Sequence, residues 1–168
     1  MELNMAISSS PEPIPISTDL IGGLIFSRDE GFQVLLLQRR GDDRFAPHSY
    51  QILYGHREKG ESVLETIIRE IHEETGLEVK AIWNISETLT FYEPSTGNIF
   101  LVPLLGVEVK SSREVRIDPT ELEGYLWCDL TTALRNLPWP SQRRALSSLW
   151  TLAQSGFKEF MKVYSSAG

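Results

Sequence analysis

The chain predicts an α/β (α+β) fold, and three observations carry that expectation. Apolar, β-prone runs recur along most of its length, one strongly amphipathic helix lies between them near residues 63–75, and a second helical stretch precedes the C-terminus. At 168 residues, with 41% hydrophobic and 23% charged residues, there is enough chain for one domain with a real core and too little to expect two. The expected organisation is a flexible arm over residues 1–16 and a single domain over 17–168. A formal net charge of -7 argues against binding a nucleic acid polymer or an anionic membrane. A single cysteine, Cys128, excludes an internal disulfide and a cysteine-built zinc site. No apolar run approaches the roughly 18–20 residues of a membrane span, and the first residues lack both parts of a secretory signal, so a cytoplasmic protein is expected.

The arm is set by Pro11, Pro13 and Pro15, which favour extended, unpaired backbone. From Ile16 to Phe26 the chain reads as a strand, with Gly22 and Gly23 allowing close approach of another backbone or a bulge. Phe32 to Gln38 is apolar on both faces, the mark of a central strand. Arg39 and Arg40 close it; an arginine fork at a strand end is either solvated surface or a clamp for substrate phosphates. Ser49 to Tyr54 is a short strand running into Gly55. Ser62-Val-Leu-Glu65 has the spacing of a capping box, so the helix starts just after Ser62, and Gly76 ends it. Leu64, Ile67, Ile68 and Ile71 form the stripe that packs on the sheet. Val79 to Tyr92 and Ile99 to Val109 read as an antiparallel pair, with Pro103 marking an edge or a bulge. Ser111 to Glu121 is a polar connection, Gly124 to Cys128 a strand, and Asp129 a cap for LTTALRNL. Ser141 to about Gln154 repeats Leu146, Leu149 and Leu152 at helical spacing.

The chemistry is concentrated in GHREKGESVLETIIREIHEETGL, residues 55–77. Glu70, Glu73 and Glu74 are spaced i, i+3, i+4, so a helix brings them to one face. Carboxylates that close repel one another unless a cation neutralises them. Magnesium prefers oxygen ligands and retains several waters, so a few carboxylates plus substrate phosphates make a suitable site. Arg69 lies off the acidic face and can reach back to Glu61 in the preceding loop, a structural pairing. His72 falls near the face opposite the acids, whereas His48 and His56 sit in loops beside them and are open to substrate contact. Phe45, Tyr50, Tyr92, Phe100, Tyr125 and Trp127 include candidates for stacking on a purine or pterin ring.

Gly55, Glu61, Arg69-Glu70-Ile71, Glu73-Glu74 and Gly76-Leu77 together resemble the full signature of the Nudix hydrolases. The resemblance implies that family's mixed β-sheet sandwiched between α-helices. It also implies magnesium as cofactor, with manganese as a substitute, and hydrolysis of a phosphoric anhydride bond. It makes Glu73 and Glu74 metal ligands, Glu70 a ligand or base, and the Gly55 carbonyl a further ligand. A later acidic residue is implied as well, and Glu121 is preferred over Glu123 because it leads a Glu-x-x-x-Tyr-x-Trp-x-Asp spacing. LLLQRRGDD, Trp127 before Asp129, and the segment from Trp139 resemble the subgroup acting on dATP and dihydroneopterin triphosphate, which releases pyrophosphate. Where many members carry Pro-Gly-Gly, this chain has Tyr54-Gly55-His56, which makes Tyr54 and His56, with Arg39 and Arg40, the candidates for contacting substrate. The expected partner is a nucleotide or pterin triphosphate, met by a monomer or homodimer. The rival readings are a hydrolase of dinucleoside polyphosphates or other nucleotide derivatives, and a Nudix module that binds a nucleotide without cleaving it.

Overall fold

The computed structural model describes residues 11–110 and 114–166; residues 1–10 of the expected arm and the start of the 111–121 connection lie outside them. In chain order the elements are β1 (Ile16–Ser17), β2 (Leu20–Ser27), β3 (Gln33–Arg39), β4 (Tyr50–Gln51), β5 (Leu53–His56) and α1 (Val63–Thr75). They continue with β6 (Val79–Glu93), β7 (Asn98–Val109), β8 (Leu122–Cys128), α2 (Leu130–Asn136), α3 (Pro140–Ser155) and β9 (Lys162–Ser165). The strands form a mixed sheet in the order β4-β3-β2-β7-β6-β9, with β1 added to β7, β5 to β2 and β8 to β3. β2 pairs in parallel with β7 and antiparallel with β3 and β5.

Helices cover both faces because the strands are apolar on both. Along β2, Ile21 and Ile25 pack with Leu53, Ile67 and Ile71 on the α1 side, while Leu24 and Phe26 pack with Leu146 and Leu149 on the α3 side. That is the period-two alternation of a strand read out on two cores. Fully burying Ile67 and Ile71 stabilises the α1 contact by about 1.5–3 kcal/mol each. Gly23 lies directly under α1: a Cβ there would come within 2.8 Å of the Ile67 Cδ1. The expected close approach at the glycine pair is therefore a helix-to-sheet contact.

Four expectations change in detail. The strand expected from Ile16 to Phe26 is two, β1 and β2, and the end of the arm is tied to β7: Ile16 pairs opposite Ile99, and the Pro15 carbonyl accepts from the Ile99 N–H at 2.9 Å. The strand expected over 49–54 is two, β4 on β3 and β5 on β2, parted at Ile52. Pro103 sits in β7, between β2 and β6 rather than at an edge, and the bulge, the other expectation, lies beside it, where the β6 register shifts between Asn84 and Glu87 opposite Leu105 and Leu104. Pro103 falls between the residues paired with β1 and those paired with β2, where its missing N–H leaves no gap in either ladder. β9 has no counterpart in the sequence reading; it pairs with β6 at the end of the sheet, below Phe157, which stacks on Trp83 with ring centroids 4.5 Å apart.

Candidate active site

α1 is fixed at both ends by its own residues. The Ser62 hydroxyl accepts from the Glu65 N–H at 3.2 Å and the Glu65 carboxylate accepts from the Ser62 N–H at 2.8 Å, which completes the capping box. Gly76 ends the helix in the left-handed conformation, φ 68°. Beneath the middle of the helix lies Gly55, in β5 rather than in the loop, and a Cβ there would approach Glu70 Oε1 to 2.9 Å. Only glycine lets the strand pass this close under an acidic side chain, which sets the Gly55 backbone against Glu70.

Arg69 organises the acids. Its Nε and Nη2 donate to the two oxygens of Glu61 at 2.7 and 2.9 Å, and Nη2 also reaches the His56 carbonyl at 3.0 Å. Glu61 additionally accepts from the Glu58 N–H and the Thr66 hydroxyl, at 3.0 and 2.9 Å. The Arg69 hydrogen bonds hold the Glu61 carboxyl down at about 2. The loop-to-helix pairing expected of Glu61 and Arg69 is thus present in bidentate form. Arg69 does not stand off the acidic face, however: its Nη1 donates to Glu70 at 3.0 Å and to Glu73 at 3.1 Å.

Glu70 and Glu74 are half-buried, and burial is the main force raising the pKa of both. Glu74 is pushed up to about 8, since Glu70, Glu121 and Asp118 add negative charge around it. Asp118 comes from the polar connection, where its N–H donates to the Glu74 carbonyl at 3.2 Å, and it escaped the sequence reading. Its signal was the Asp-x-Thr spacing of a turn, in which the Asp118 carboxylate accepts from the Thr120 N–H at 2.8 Å. Buried Thr66, on the flank of the apolar stripe, was also missed.

The other expected contacts divide. Exposed His56 ends β5 and acts electrostatically on Glu70 and Asp19. Arg39 is engaged by Asp43 and Gln51, both at 2.9 Å. Arg40 is engaged by Asp42 at 2.8 Å and by the Pro119 carbonyl at 2.5 Å. Both forks expected as a phosphate clamp are therefore held by acceptors of the protein itself. Tyr54 faces away from Glu70, into the core on the α3 side, where its hydroxyl accepts from Gln142 Nε2 at 2.9 Å and burial pushes its pKa to about 12. Neighbours along a strand point to opposite faces, so Gly55 beneath Glu70 sends Tyr54 the other way. His72 is exposed, and His48 bonds to Glu123 at 2.5 Å.

The side chains suit a hard divalent cation: Glu70, Glu73 and Glu74 are carboxylates on one helix, in a net negative field that burial intensifies. Among the described residues no three His, Cys, Asp or Glu side chains are gathered closely enough to hold a metal as they stand, and Arg69 bonds both Glu70 and Glu73. Rotation of those carboxylates away from Arg69 is what a cation would require.

A mixed sheet between helices, with a glycine strand under an acidic helix, defines the class. Residues 19–149 match the NUDIX domain family, and the chain belongs to that family. It is 30% identical over 128 residues to a mitochondrial NAD(P)H pyrophosphatase of Mus musculus, covering 74% of this chain and 33% of that protein. The chain thus spans about a third of the length of the curated relatives it matches. Among solved structures, a C. elegans Ap4A hydrolase binary complex superposes with a TM-score of 0.70 at 21% identity, covering 83% of this chain and 100% of that one. The E. coli dihydroneopterin triphosphate pyrophosphohydrolase superposes with a TM-score of 0.62 at 22% identity, covering 79% and 92%. No helix among the described residues is long and apolar enough to cross a membrane.

Proposed function

We propose that this protein is a magnesium-dependent pyrophosphohydrolase of nucleotide derivatives, with manganese as a substitute ion. The observation that carries the reading is the half-buried Glu74, crowded by Glu70, Glu121 and Asp118 with no basic side chain paired to it among the described residues. Glu70, Glu73, Glu74 and the Gly55 carbonyl would hold the metal. When bound, it supplies charge to the substrate phosphates and acidifies water for attack at phosphorus. Glu121, in the loop that is bonded to the Glu74 backbone through Asp118, is the residue we assign to accept a proton. Glu61 and Arg69 keep the loop before α1 docked on the helix. His56, exposed at the end of β5, is the side chain we assign to the phosphates; Arg39 and Arg40 would reach them only by leaving their present acceptors.

For the substrate we favour a nucleoside triphosphate type, dATP or dihydroneopterin triphosphate, cleaved to the monophosphate and pyrophosphate. The E. coli dihydroneopterin triphosphate pyrophosphohydrolase among the similar folds supports this choice. A dinucleoside polyphosphate is the second reading, favoured by the higher TM-score of the C. elegans Ap4A hydrolase. The net charge of -7 argues against a nucleic acid polymer, and the bound metal would supply the positive charge that a free nucleotide needs; the expected setting is the cytoplasm and the expected state a monomer or homodimer. A screen of purified protein with magnesium decides: dAMP plus pyrophosphate from dATP supports the first reading, and AMP plus ATP from a dinucleoside tetraphosphate supports the second. Tight binding of a nucleotide with no cleavage across the panel would replace both with a binding module.

A further inference from the structure

Glu121 carries the proton-accepting role only if something keeps it opposite Glu74, and the loop that bears it contains no helix or strand between Glu114 and Glu121. One side of this loop is stapled to α1: Arg116 N–H donates to the Thr75 carbonyl at 2.9 Å and Asp118 N–H to the Glu74 carbonyl at 3.2 Å. The other side is held by the turn after β3. Glu123 Oε2 accepts from the Gly41 N–H at 2.8 Å, and Glu123 Oε1 bonds to His48 Nδ1 at 2.5 Å. Arg40 Nη1 donates to the Pro119 carbonyl at 2.5 Å.

The turn is built to make these bonds. His48 has φ 61°, a left-handed conformation unusual for a side chain of its size, and its carbonyl accepts from Gln38 Nε2 at 3.1 Å. That conformation lays the imidazole over Gly41, where a Cβ would come within 2.8 Å of the ring Nε2. Both oxygens of Glu123 are therefore engaged, whereas Glu121 N–H donates to the Asp118 carbonyl at 3.1 Å, and Asp118 N–H in turn to the Glu74 carbonyl, which ties Glu121 to the end of α1.

We propose that Glu123 is a positioning residue. From the start of β8, where Leu122 pairs opposite Arg39, it joins His48, Gly41 and Arg40 in latching the turn after β3 to the end of the 116–121 loop, and so holds Glu121 on the Glu74 side of α1. This rests on the hydrolase reading above for the role of Glu121, though not for the latch itself.

The test separates positioning from chemistry through the conservative variant. Glu123→Ala is expected to lower kcat by about 10–100-fold, the cost of a misplaced catalytic group, with substrate KM unchanged within about twofold. Glu123→Gln should restore kcat to within about threefold of wild type, because an amide oxygen still accepts from Gly41 and the amide N–H can donate to a neutral imidazole. Glu121→Gln should remain inactive. Amide hydrogen exchange supplies a readout that needs no substrate: the Glu121 and Leu122 N–H groups, both bonded to the Asp118 carbonyl, should exchange at least about tenfold faster in Glu123→Ala and at the wild-type rate in Glu123→Gln. His48→Ala gives an independent variant on the other side of the bond and should follow Glu123→Ala in direction.

A Glu123→Gln protein as inactive as Glu121→Gln would overturn the proposal and make Glu123 part of the chemistry. Wild-type kcat in Glu123→Ala would overturn it too, as would a fall in kcat without faster exchange. If the wild type cleaves nothing in the panel, the hydrolase reading fails by itself, and the exchange rates alone still decide whether the latch exists.

Discussion

Glu108 and Glu74 are both drawn away from solvent, and they are treated in opposite ways. Glu108, in β7, has only 2% of its side chain exposed, yet its pKa is lowered. Burial pushes it upward, and hydrogen bonds from Arg28 and Lys80 outweigh that: Arg28 donates at 3.1 and 2.8 Å, and Lys80 lies at 3.3 Å. The Trp83 indole adds a donor at 3.3 Å. Glu74 is half-buried, and burial, with the like charge of Glu70, Glu121 and Asp118 around it, raises its pKa to about 8. One carboxylate is satisfied from within the fold, and the other is left wanting positive charge. A buried charge without a partner costs stability and persists where something outside the chain completes it. That contrast marks α1 as the working side of the molecule and the Arg28–Glu108 corner as structural.

The largest effect expected is on turnover. Glu74→Gln should reduce kcat roughly a thousandfold, a loss typical of removing one charge-stabilising group. Its metal-free melting temperature should not fall, because the substitution removes repulsion and no ion pair. Magnesium should raise the melting temperature of the wild type and raise that of Glu74→Gln by less. An active Glu74→Gln, or one that unfolds like a core mutant, would erase the distinction between the two glutamates. Glu73→Gln should show the same direction of loss.

The mirror experiment is Glu108→Ala. Removing the carboxylate should cost about 1–3 kcal/mol, because the Trp83 indole loses its acceptor while Arg28 and Lys80, both partly exposed, return their charges to water. Denaturant unfolding should show that loss, while kcat per folded molecule stays at the wild-type level. A matching loss of kcat at unchanged stability would move Glu108 into the site and break the comparison.

The same pair predicts a pH dependence, and its sign follows from linkage. The folded-state pKa of Glu108 lies below its ordinary value of 4.5, so the unfolded chain binds a proton more readily. The stabilisation is present in full above about 4.5 and is lost as pH falls through the lowered folded value. Glu108→Gln should flatten the acid limb of a stability–pH curve; an unchanged limb would show that the pair contributes nothing there.

What the chain disclosed in advance was local. Ser62-x-x-Glu65, Gly76 and the Ile67–Ile71 stripe lie within one helix, where spacing alone fixes which groups meet, and all three behave as their spacing implies. Glu108 was invisible because its partner Arg28 is 80 residues away, and no periodicity links a strand residue to a turn that far off. β9 and the split of β4 from β5 are likewise settled by tertiary pairing. Within the site, the acids and Gly55 could be read from one segment. Asp118 and the Glu123 bonds join loops distant in sequence, so their meeting depended on the fold.

Tyr54 gives the smallest expected effect and the sharpest test of which face of β5 does chemistry. It is adjacent to Gly55 in sequence, which made it a candidate for substrate contact, but strand alternation turns its ring to the α3 side. There its hydroxyl accepts from Gln142, whose other amide atom has no partner. Tyr54→Phe therefore removes one buried hydrogen bond and should cost about 1 kcal/mol of stability. Neither kcat nor KM should change, because nothing on the α1 side is disturbed. A rise in KM without loss of stability would mean that substrate reaches through to the α3 face, and the division of the sheet into a working side and a structural side would then have to be redrawn.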